Sequence, residues 1–214
     1  LTDLPQGPAA VRGLDDPTIA SGLKEALSIG TKNAVGLVSQ LNGYFGNDVI
    51  KILLPEKIEK AADGLMMAGY SKEVDDFVLS MNRAAEKAAP EATAIFVDAI
   101  KQMSFEDAGK ILNGGNTAAT DYFKTKTSGR LFESFKPIVS TSMNEVGVTR
   151  SYKAMTEKYT SAAPFMKMES LDLDRYVTNK ALEGLFFKLG QEEKAIRTNP
   201  AARTTELLRK VFGQ

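Results

Sequence analysis

The sequence predicts an all-α protein, a single-domain bundle of about nine or ten helices with no sheet. Apolar residues recur with a period close to 3.6 along most of the chain, which is the pattern of amphipathic helices. Glycine, asparagine and proline interrupt these runs at short intervals, as they do in turns between helices. The one run rich in β-branched residues is "VIKILLP", residues 49–55, and a lone strand has no partner with which to form a sheet.

The chain divides into a short tail and one long helical region. Residues 1–15 carry two prolines and two glycines without apolar periodicity, so we predict a flexible N-terminal tail there. Nothing marks a further boundary within residues 16–214, which we predict to form one all-helical domain. Asp16 and Pro17 are typical of a helix start, the aspartate as N-cap and the proline at the first helical position.

The next helices are placed by their start signals. The first helix ends at "NGYFGND", and residues 49–55 follow as an extended connector whose apolar side chains cover the core. Pro55, Ser71 and Pro90 mark three further helix starts, because proline and serine are favoured at those positions.

The same signals place the remaining helices. Ser104 followed three residues later by Asp107 resembles a capping box, which predicts a helix start. Pro137 lies inside an apolar run, so the helix there either bends or consists of two pieces. Further helix starts are predicted at Ser128, Thr149, Leu171 and Thr204, and a helix end at Pro200.

The most distinctive stretch is "NGGNT", residues 113–117, and it allows two interpretations. As a corner, its first glycine fits a helix C-terminus that turns left-handed, and its last two residues fit the next N-cap. As an anion site, its backbone would bind a phosphate-like group, helped by Lys124 or Lys126. We favour the corner, because the fixed lysine of a phosphate-binding loop is missing. The anion-site candidates are Gly114, Gly115, Asn116 and Thr117.

Cysteine and histidine are both absent, which excludes many kinds of site. Thiolate or imidazole zinc sites, Ser-His-Asp triads and cysteine nucleophiles all need one of them. No calcium-loop pattern occurs either, and di-iron bundles need histidine. We therefore predict no metal and no cofactor. Carboxylates remain as acid–base candidates, and several fall in first helical turns, where they stabilise the helix dipole. The full set of carboxylate candidates is Asp75, Asp76, Glu106, Asp107, Asp172, Asp174, Glu192 and Glu193.

The charge balance bears on the partner class. Lysine plus arginine equals aspartate plus glutamate, 27 each, whereas nucleic-acid binders usually carry a basic excess. We therefore predict no nucleic-acid partner. Residues 55–107 hold 11 acids and 6 bases, net −5, and residues 108–167 hold 4 acids and 9 bases, net +5. Either these stretches balance each other, or the second presents a surface that faces anions. No apolar run approaches the ~20 residues of a membrane span.

Two further positions are candidates for a binding surface. Asn82 and Arg83 stand beside a core stripe with small alanines, and either line a pocket or bond a neighbouring helix end. Phe186 and Phe187 are consecutive aromatics on different sides of one helix, so one of them can face a groove or a partner. Methionine and phenylalanine would line an apolar cavity if there is one.

Long stretches of the chain resemble a known bacterial family. These include "LSMNRAAEKAAPEA", "DAIKQMSFEDAGKILNGGNTAATDYF" and "VTNKALEGLFFKLGQEEKAIRTNPAARTTELLRKVFG". Together they resemble the family catalogued as domain of unknown function 4197, from about residue 21 to residue 213. The resemblance implies an export signal, often of the lipoprotein kind, and hence a periplasmic or envelope-attached protein with a lipid anchor upstream of residue 1. It implies no reaction and no catalytic residues.

These observations favour a non-catalytic binding or scaffold protein of the bacterial cell envelope. Its partner would be a protein, or an apolar, lipid-like small molecule in a groove. The alternative is an enzyme whose site uses carboxylates, which needs two acids with different environments.

Overall fold

The computed structural model describes residues 16–145, Glu157 and residues 171–212. Within these residues the protein is all-helical, without strand or sheet, as predicted. The α-helices, numbered in chain order, are α1 (Asp16–Ser39), α2 (Glu56–Met67), α3 (Ser71–Ala88), α4 (Ala92–Gln102), α5 (Phe105–Leu112), α6 (Ala118–Glu145), α7 (Leu173–Thr198) and α8 (Glu206–Phe212). Single-turn 3-10 helices lie at Ala89–Glu91 and Pro200–Ala202.

The described residues do not match the predicted count of nine or ten α-helices. A main reason is α6, which runs unbroken from Ala118 to Glu145, so the predicted helix start at Ser128 is wrong. Pro137 lies inside this helix without ending it, although a proline there removes one helical hydrogen bond. The predicted helix start at Thr149 and the predicted tail at residues 1–15 lie outside the described residues.

Helix ends follow the sequence signals in part. Ser104 and Asp107 form the predicted capping box at the start of α5. Asp172 caps α7 by accepting a hydrogen bond from the N–H of Arg175. The N-cap of α3 is Tyr70, which makes no side-chain capping bond, rather than the predicted Ser71.

The long helices α1, α6 and α7 form the centre of the bundle. α7 packs along both α1 and α6, α3 packs on α6, and α4, α5 and α8 pack on α1. The Phe96 ring meets Phe123 edge-on, with ring centroids 5.1 Å apart, and Phe186 at 6.2 Å. Full burial of one such side chain stabilises the fold by about 1.5–3 kcal/mol.

The connector between α1 and α2 covers the core as expected. Residues 51–55 form neither helix nor strand. Ile50 and Ile52 are buried, whereas Val49 and Leu53 are 68% and 61% exposed. The connector therefore contributes to the core with one side and presents apolar side chains to solvent with the other.

Candidate functional site

The glycine-rich corner between α5 and α6 is built differently from the prediction. Its residues 113–117 are exposed. Neither Gly114 nor Gly115 has a positive φ, so the predicted left-handed turn is wrong. Gly114 is required for close approach instead, because a Cβ there would lie 2.5 Å from the Cβ of Ala118 and 2.9 Å from the carbonyl oxygen of Lys110. A Cβ on Gly115 would meet no atom within 4 Å.

The first turn of α6 is capped by a carboxylate from α7. The N–H groups of Ala119 and Thr120 donate to Oε1 and Oε2 of Glu193, each at 2.9 Å, and the Thr120 hydroxyl donates to Oε2 at 2.9 Å. Glu193 is buried, at 7% exposure. A buried carboxylate at a helix N-terminus satisfies donors that helical bonding leaves free, and it interacts favourably with the dipole. The chain thus supplies its own anion to these amides.

Arg197 completes this arrangement one helical turn further along α7. Its guanidinium lies 2.9 Å from Oε1 of Glu193 and donates to the carbonyl oxygen of Ile111 at 2.7 Å. One pair of side chains therefore binds the C-terminal end of α5 and the N-terminal end of α6. Because Glu193 lies near the end of α7 and Ala119 near the start of α6, the two long helices are antiparallel. We call Glu193, Arg197 and the amides of Ala119 and Thr120 the Glu193 cluster.

Whether an external anion binds the corner remains a prediction. The candidate residues Gly114, Gly115, Asn116 and Thr117 are exposed in a single turn. Of the two predicted helper lysines, Lys124 has its Nζ 6.0 Å from the Phe186 ring centroid, and Lys126 has its Nζ 5.9 Å from the Tyr122 ring centroid. Lys126 also lines a shallow surface groove with Ile111 and Ala118, beside the corner.

Asn82 binds the connector and not a helix end. Its Oδ1 accepts from the N–H of Ile52 at 2.8 Å, while its Nδ2 donates to the carbonyl oxygens of Ile52 and Val78, each at 2.8 Å. The side chain is fully buried. Asn82 therefore pairs with the connector backbone as a neighbouring strand would, and its hydrogen bonds stay within the chain.

Arg83 and Glu86 on α3 form a second pair, in which Glu86 is buried and Arg83 is partly exposed. The guanidinium lies 2.5 Å from Oε2 of Glu86 and also donates to Oδ1 of Asn42 at 2.8 Å. Oε1 of Glu86 accepts from the N–H groups of Tyr44 and Phe45 at 3.1 and 3.2 Å. We call Arg83, Glu86 and these two amides the Glu86 cluster. It holds the turn that follows α1.

Tyr44 extends the Glu86 cluster into the core. Its ring is fully buried, and its hydroxyl donates to the carbonyl oxygen of Ala181 at 2.6 Å. A Cβ on Gly184 would lie 2.6 Å from the ring, so α7 needs a glycine there to admit it. Burial, and then the nearby charge of Glu86, raise the pKa of the Tyr44 phenol far above its ordinary range.

The remaining candidate carboxylates have structural surroundings. Hydrogen bonds from the Ser104 side chain and backbone lower the pKa of Asp107. Glu192 accepts a hydrogen bond from Asn33 at 3.1 Å. Among the described residues no group of three or more acidic side chains is placed to hold a metal ion. The two acids that are buried in the described part of the chain, Glu86 and Glu193, both accept hydrogen bonds from backbone amides and pair with an arginine.

A small cavity lies in the interior of the described part of the chain. A cavity between α1, α7 and α8, lined by residues such as Leu27, Leu189 and Phe212, has a volume of only about 20 Å³. That is room for about one water molecule. The larger spaces in the described part of the chain are surface grooves.

A larger groove runs between α6 and α7 and has a volume of about 750 Å³. Phe186 and Leu182 are almost buried, Phe187 is 42% exposed, and Phe132 lies opposite on α6. Both aromatics of the predicted Phe186-Phe187 pair thus line it. We call this the aromatic groove, lined by Lys124, Ser128, Gly129, Phe132, Asn179, Leu182, Glu183, Phe186 and Phe187.

Gly129 leaves the aromatic groove open at its middle. It is exposed in the interior of α6, and a Cβ added there would meet no atom within 4 Å. A helix-interior glycine is about 0.5–1 kcal/mol less favourable than alanine. No packing contact in the described residues requires the glycine, but the space above it belongs to the groove.

A second groove adjoins the first across Glu183 and Phe187. It has a volume of about 420 Å³ and lies between the connector and α7. The exposed Val49 and Leu53 line it, and the Tyr176 hydroxyl donates to the carbonyl oxygen of Leu53 at 3.0 Å. The apolar surface is therefore continuous from the connector to α6.

Sequence reasoning missed the pairing of the buried Glu86 and Glu193 with arginine, and most of the groove. A signal existed for Glu193, because it falls in phase with the apolar stripe of α7, four residues after Leu189 and three before Ile196. An acid at a core-facing position indicates a buried polar contact. No such signal was available for Gly129, since the groove depends on how α6 and α7 pack.

Comparison with known proteins gives one match. The family model described as "Protein of unknown function (DUF4197)" matches residues 13–213, nearly the whole chain. Comparisons with curated proteins and with solved structures find no match. In the described part of the chain, no helix combines the length and apolar character needed to cross a membrane.

Proposed function

The chain belongs to the DUF4197 family, and from that premise we propose that it is a non-catalytic binding protein of the bacterial cell envelope. Its binding surface is the aromatic groove between α6 and α7, and its partner is a protein. The observation that carries this proposal is an open groove of about 750 Å³, lined by three phenylalanines and left empty above Gly129.

A protein partner suits this groove better than a small apolar molecule. Sites for small molecules are concave and usually bury most of the ligand. The interior cavity between α1, α7 and α8 is too small for one, at about 20 Å³. A shallow trough between two antiparallel helices instead resembles the surfaces that accept an amphipathic helix. Exposed aromatic side chains such as Phe187 are frequent anchors of protein interfaces.

The envelope location is proposed on the family resemblance alone. Its support is the export signal that members commonly carry. Cell fractionation of the natural full-length protein tests it: release with the periplasm, or recovery with membranes through an anchor, supports the proposal. Recovery with the cytoplasm contradicts it.

The binding role is tested by site-specific photo-crosslinking in intact cells. A benzoyl-phenylalanine replaces Phe187 in the groove or, as control, Met67, which is 90% exposed on α2. We expect a discrete protein adduct from position 187 and no matching adduct from position 67. Gly129→Leu, whose Cβ would meet no atom within 4 Å, places a side chain in the groove and should remove the adduct.

A matched variant separates groove filling from helix effects. Gly36 is an exposed helical glycine on α1 whose added Cβ would also meet no atom within 4 Å. Gly36→Leu should leave the adduct from position 187 unchanged. An adduct that survives Gly129→Leu, or equal adducts from both positions, contradicts the assignment of the groove.

We put forward no catalytic role as a second candidate. The two buried carboxylates, Glu86 and Glu193, each accept two backbone N–H groups and pair with an arginine. Release of either acid for proton transfer would leave buried amides without acceptors, which is costly. No observation among the described residues favours the carboxylate-based enzyme that the sequence left open.

A further inference from the structure

We propose, as a deepening that rests on the proposed function, that the partner of the aromatic groove is an acidic amphipathic helix of about three turns. Its apolar stripe would seat on Phe132, Phe186 and Phe187, and its flanking carboxylates would meet Lys124 and Lys136. The proposal follows from the shape of the groove and from the charges at its two ends.

The length of the groove sets the length of the partner. Lys124, Ser128, Phe132 and Lys136 follow one another at intervals of four residues on α6, so they form one stripe along that helix. From Lys124 to Lys136 the stripe rises about 18 Å, at about 1.5 Å per residue. A partner helix of about 12 residues spans that distance, with anchors at i, i+3 or i+4, and i+7.

The shape of the groove suits a helix rather than a flat surface. Packed helices lie about 8–10 Å apart, and small residues at the contact allow the closer distances. Gly129 and Ser128 provide small residues at the centre of the stripe, while the phenylalanines form the walls. A third helix can therefore lie in the trough between α6 and α7.

The charges around the groove favour an acidic partner. The Nζ of Lys124 lies 6.0 Å from the Phe186 ring centroid, and that of Lys136 lies 5.9 Å from the Phe132 ring centroid. Neither lysine has a carboxylate within salt-bridge distance among the described residues. The one acid that lines the groove, Glu183, is paired with Lys180 at 2.6 Å. Among the described residues, Lys124 lines the groove and Lys136 lies one helical turn beyond Phe132, so the two charges without a salt-bridge partner there are both positive.

Each flanking pair would contribute modestly. Exposed ion pairs are weak and are screened by salt. We therefore expect each lysine to change the dissociation constant by about two- to fivefold. The apolar stripe supplies most of the affinity, and the lysines select acidic over basic helices.

The experiment is a selection from a displayed library of random 16-residue peptides against the full chain. Binders that also bind the Gly129→Leu variant are discarded, and those kept must bind the Gly36→Leu variant normally. We expect the remaining peptides to show apolar residues at helical spacing and a net negative charge. Their affinities, measured by calorimetry, should fall about four- to 25-fold in Lys124→Glu/Lys136→Glu, the product of the two single effects.

Lys126 provides the control for charge. It also lies over an aromatic ring, that of Tyr122, but it does not line the aromatic groove. Lys126→Glu should leave the affinities of the selected peptides within about twofold.

The other outcomes overturn either the acidic helix alone or the proposed function as well. Groove-dependent binders that are basic, or that lack helical spacing, overturn the acidic helix and leave the proposed function standing. If the selection yields no groove-dependent peptide, and if the chain binds laurate in a way that Gly129→Leu abolishes, the groove is a site for an anionic amphiphile. That result overturns both the acidic helix and the proposed function. Binding of neither peptide nor laurate also overturns both.

Discussion

The Glu86 cluster and the Glu193 cluster both bind backbone N–H groups of a distant segment, but with different geometry. In each, a buried glutamate pairs with an arginine on its own helix and accepts two consecutive backbone N–H groups from a distant segment. Oε1 of Glu86 accepts the hydrogen bonds of both amides, and Oε2 accepts from the guanidinium of Arg83. Glu193 divides the two amides between its oxygens and adds the Thr120 hydroxyl.

The difference lies in what each cluster holds. Glu86 anchors a turn, and Arg83 keeps 27% of its side chain exposed. Glu193 caps a helix of 28 residues, while Arg197 is only 12% exposed and also binds the carbonyl end of α5. A buried charge pair costs desolvation that only good hydrogen bonding offsets. The deeper cluster therefore depends more strongly on both of its partners.

The largest expected effect separates the two clusters directly. Glu193→Gln should lower the free energy of unfolding by about 3–5 kcal/mol, because Arg197 then lies buried without its counter-charge and one amide loses its acceptor. Glu86→Gln should cost about 1–3 kcal/mol, since solvent reaches Arg83. Urea denaturation of both variants measures this. Equal losses, or the reverse order, would break the comparison.

A smaller effect sharpens the account of the corner that the Glu193 cluster holds. Gly114→Ala should cost about 1–3 kcal/mol, because its Cβ would meet Ala118 and the Lys110 carbonyl and overpack the corner. Gly115→Ala has open space and an ordinary φ, so it should stay within about 0.5 kcal/mol of the parent. Thermal unfolding of the pair tests this. A larger loss for Gly115→Ala would show that the close approach at Gly114 is not what the corner requires.

The smallest effect tests the Glu86 cluster through pH. Tyr44→Phe removes one hydrogen bond and should cost about 1 kcal/mol at neutral pH. Above about pH 10 the unfolded parent chain releases the phenol proton while the folded chain retains it, because the pKa of Tyr44 is raised in the fold. The free energy of unfolding of the parent should then fall by up to about 1.4 kcal/mol per pH unit relative to that of the phenylalanine variant. Denaturation at pH 7, 10 and 11 measures the difference, and a constant difference would contradict the burial of a neutral phenol.

The sequence was sufficient where local chemistry decides. The capping box at Ser104 and Asp107 follows from residue type and spacing within one turn. The all-helical class follows from a period repeated many times. The expected break at Ser128 failed because α6 is held from outside, by Glu193 at its start and by the core along its length. The low helix propensity of Gly129 and Pro137 is outweighed by that packing.

The candidate site was less accessible from the sequence. Asn82 and Arg83 were identified as polar residues beside the core, but their partners, Ile52 and Asn42, lie at least 30 residues away. Phe186 and Phe187 were identified as aromatics that could face a groove. The groove itself needs α6 to lie antiparallel to α7, a relation between two segments that no local pattern in either one encodes. Long-range pairing was therefore the missing information.

The Glu193 cluster also has a consequence for the order in which the chain is made. The amides at the start of α6 have their acceptor in Glu193, which is translated more than 70 residues later. The α5–α6 corner thus cannot adopt its final form while the ribosome is still adding α7. Contacts this distant in sequence slow folding, and incomplete chains expose apolar surface. A nascent chain that stops short of Glu193 lacks the partners of both helix ends, and these ends are then exposed to any chaperone or protease.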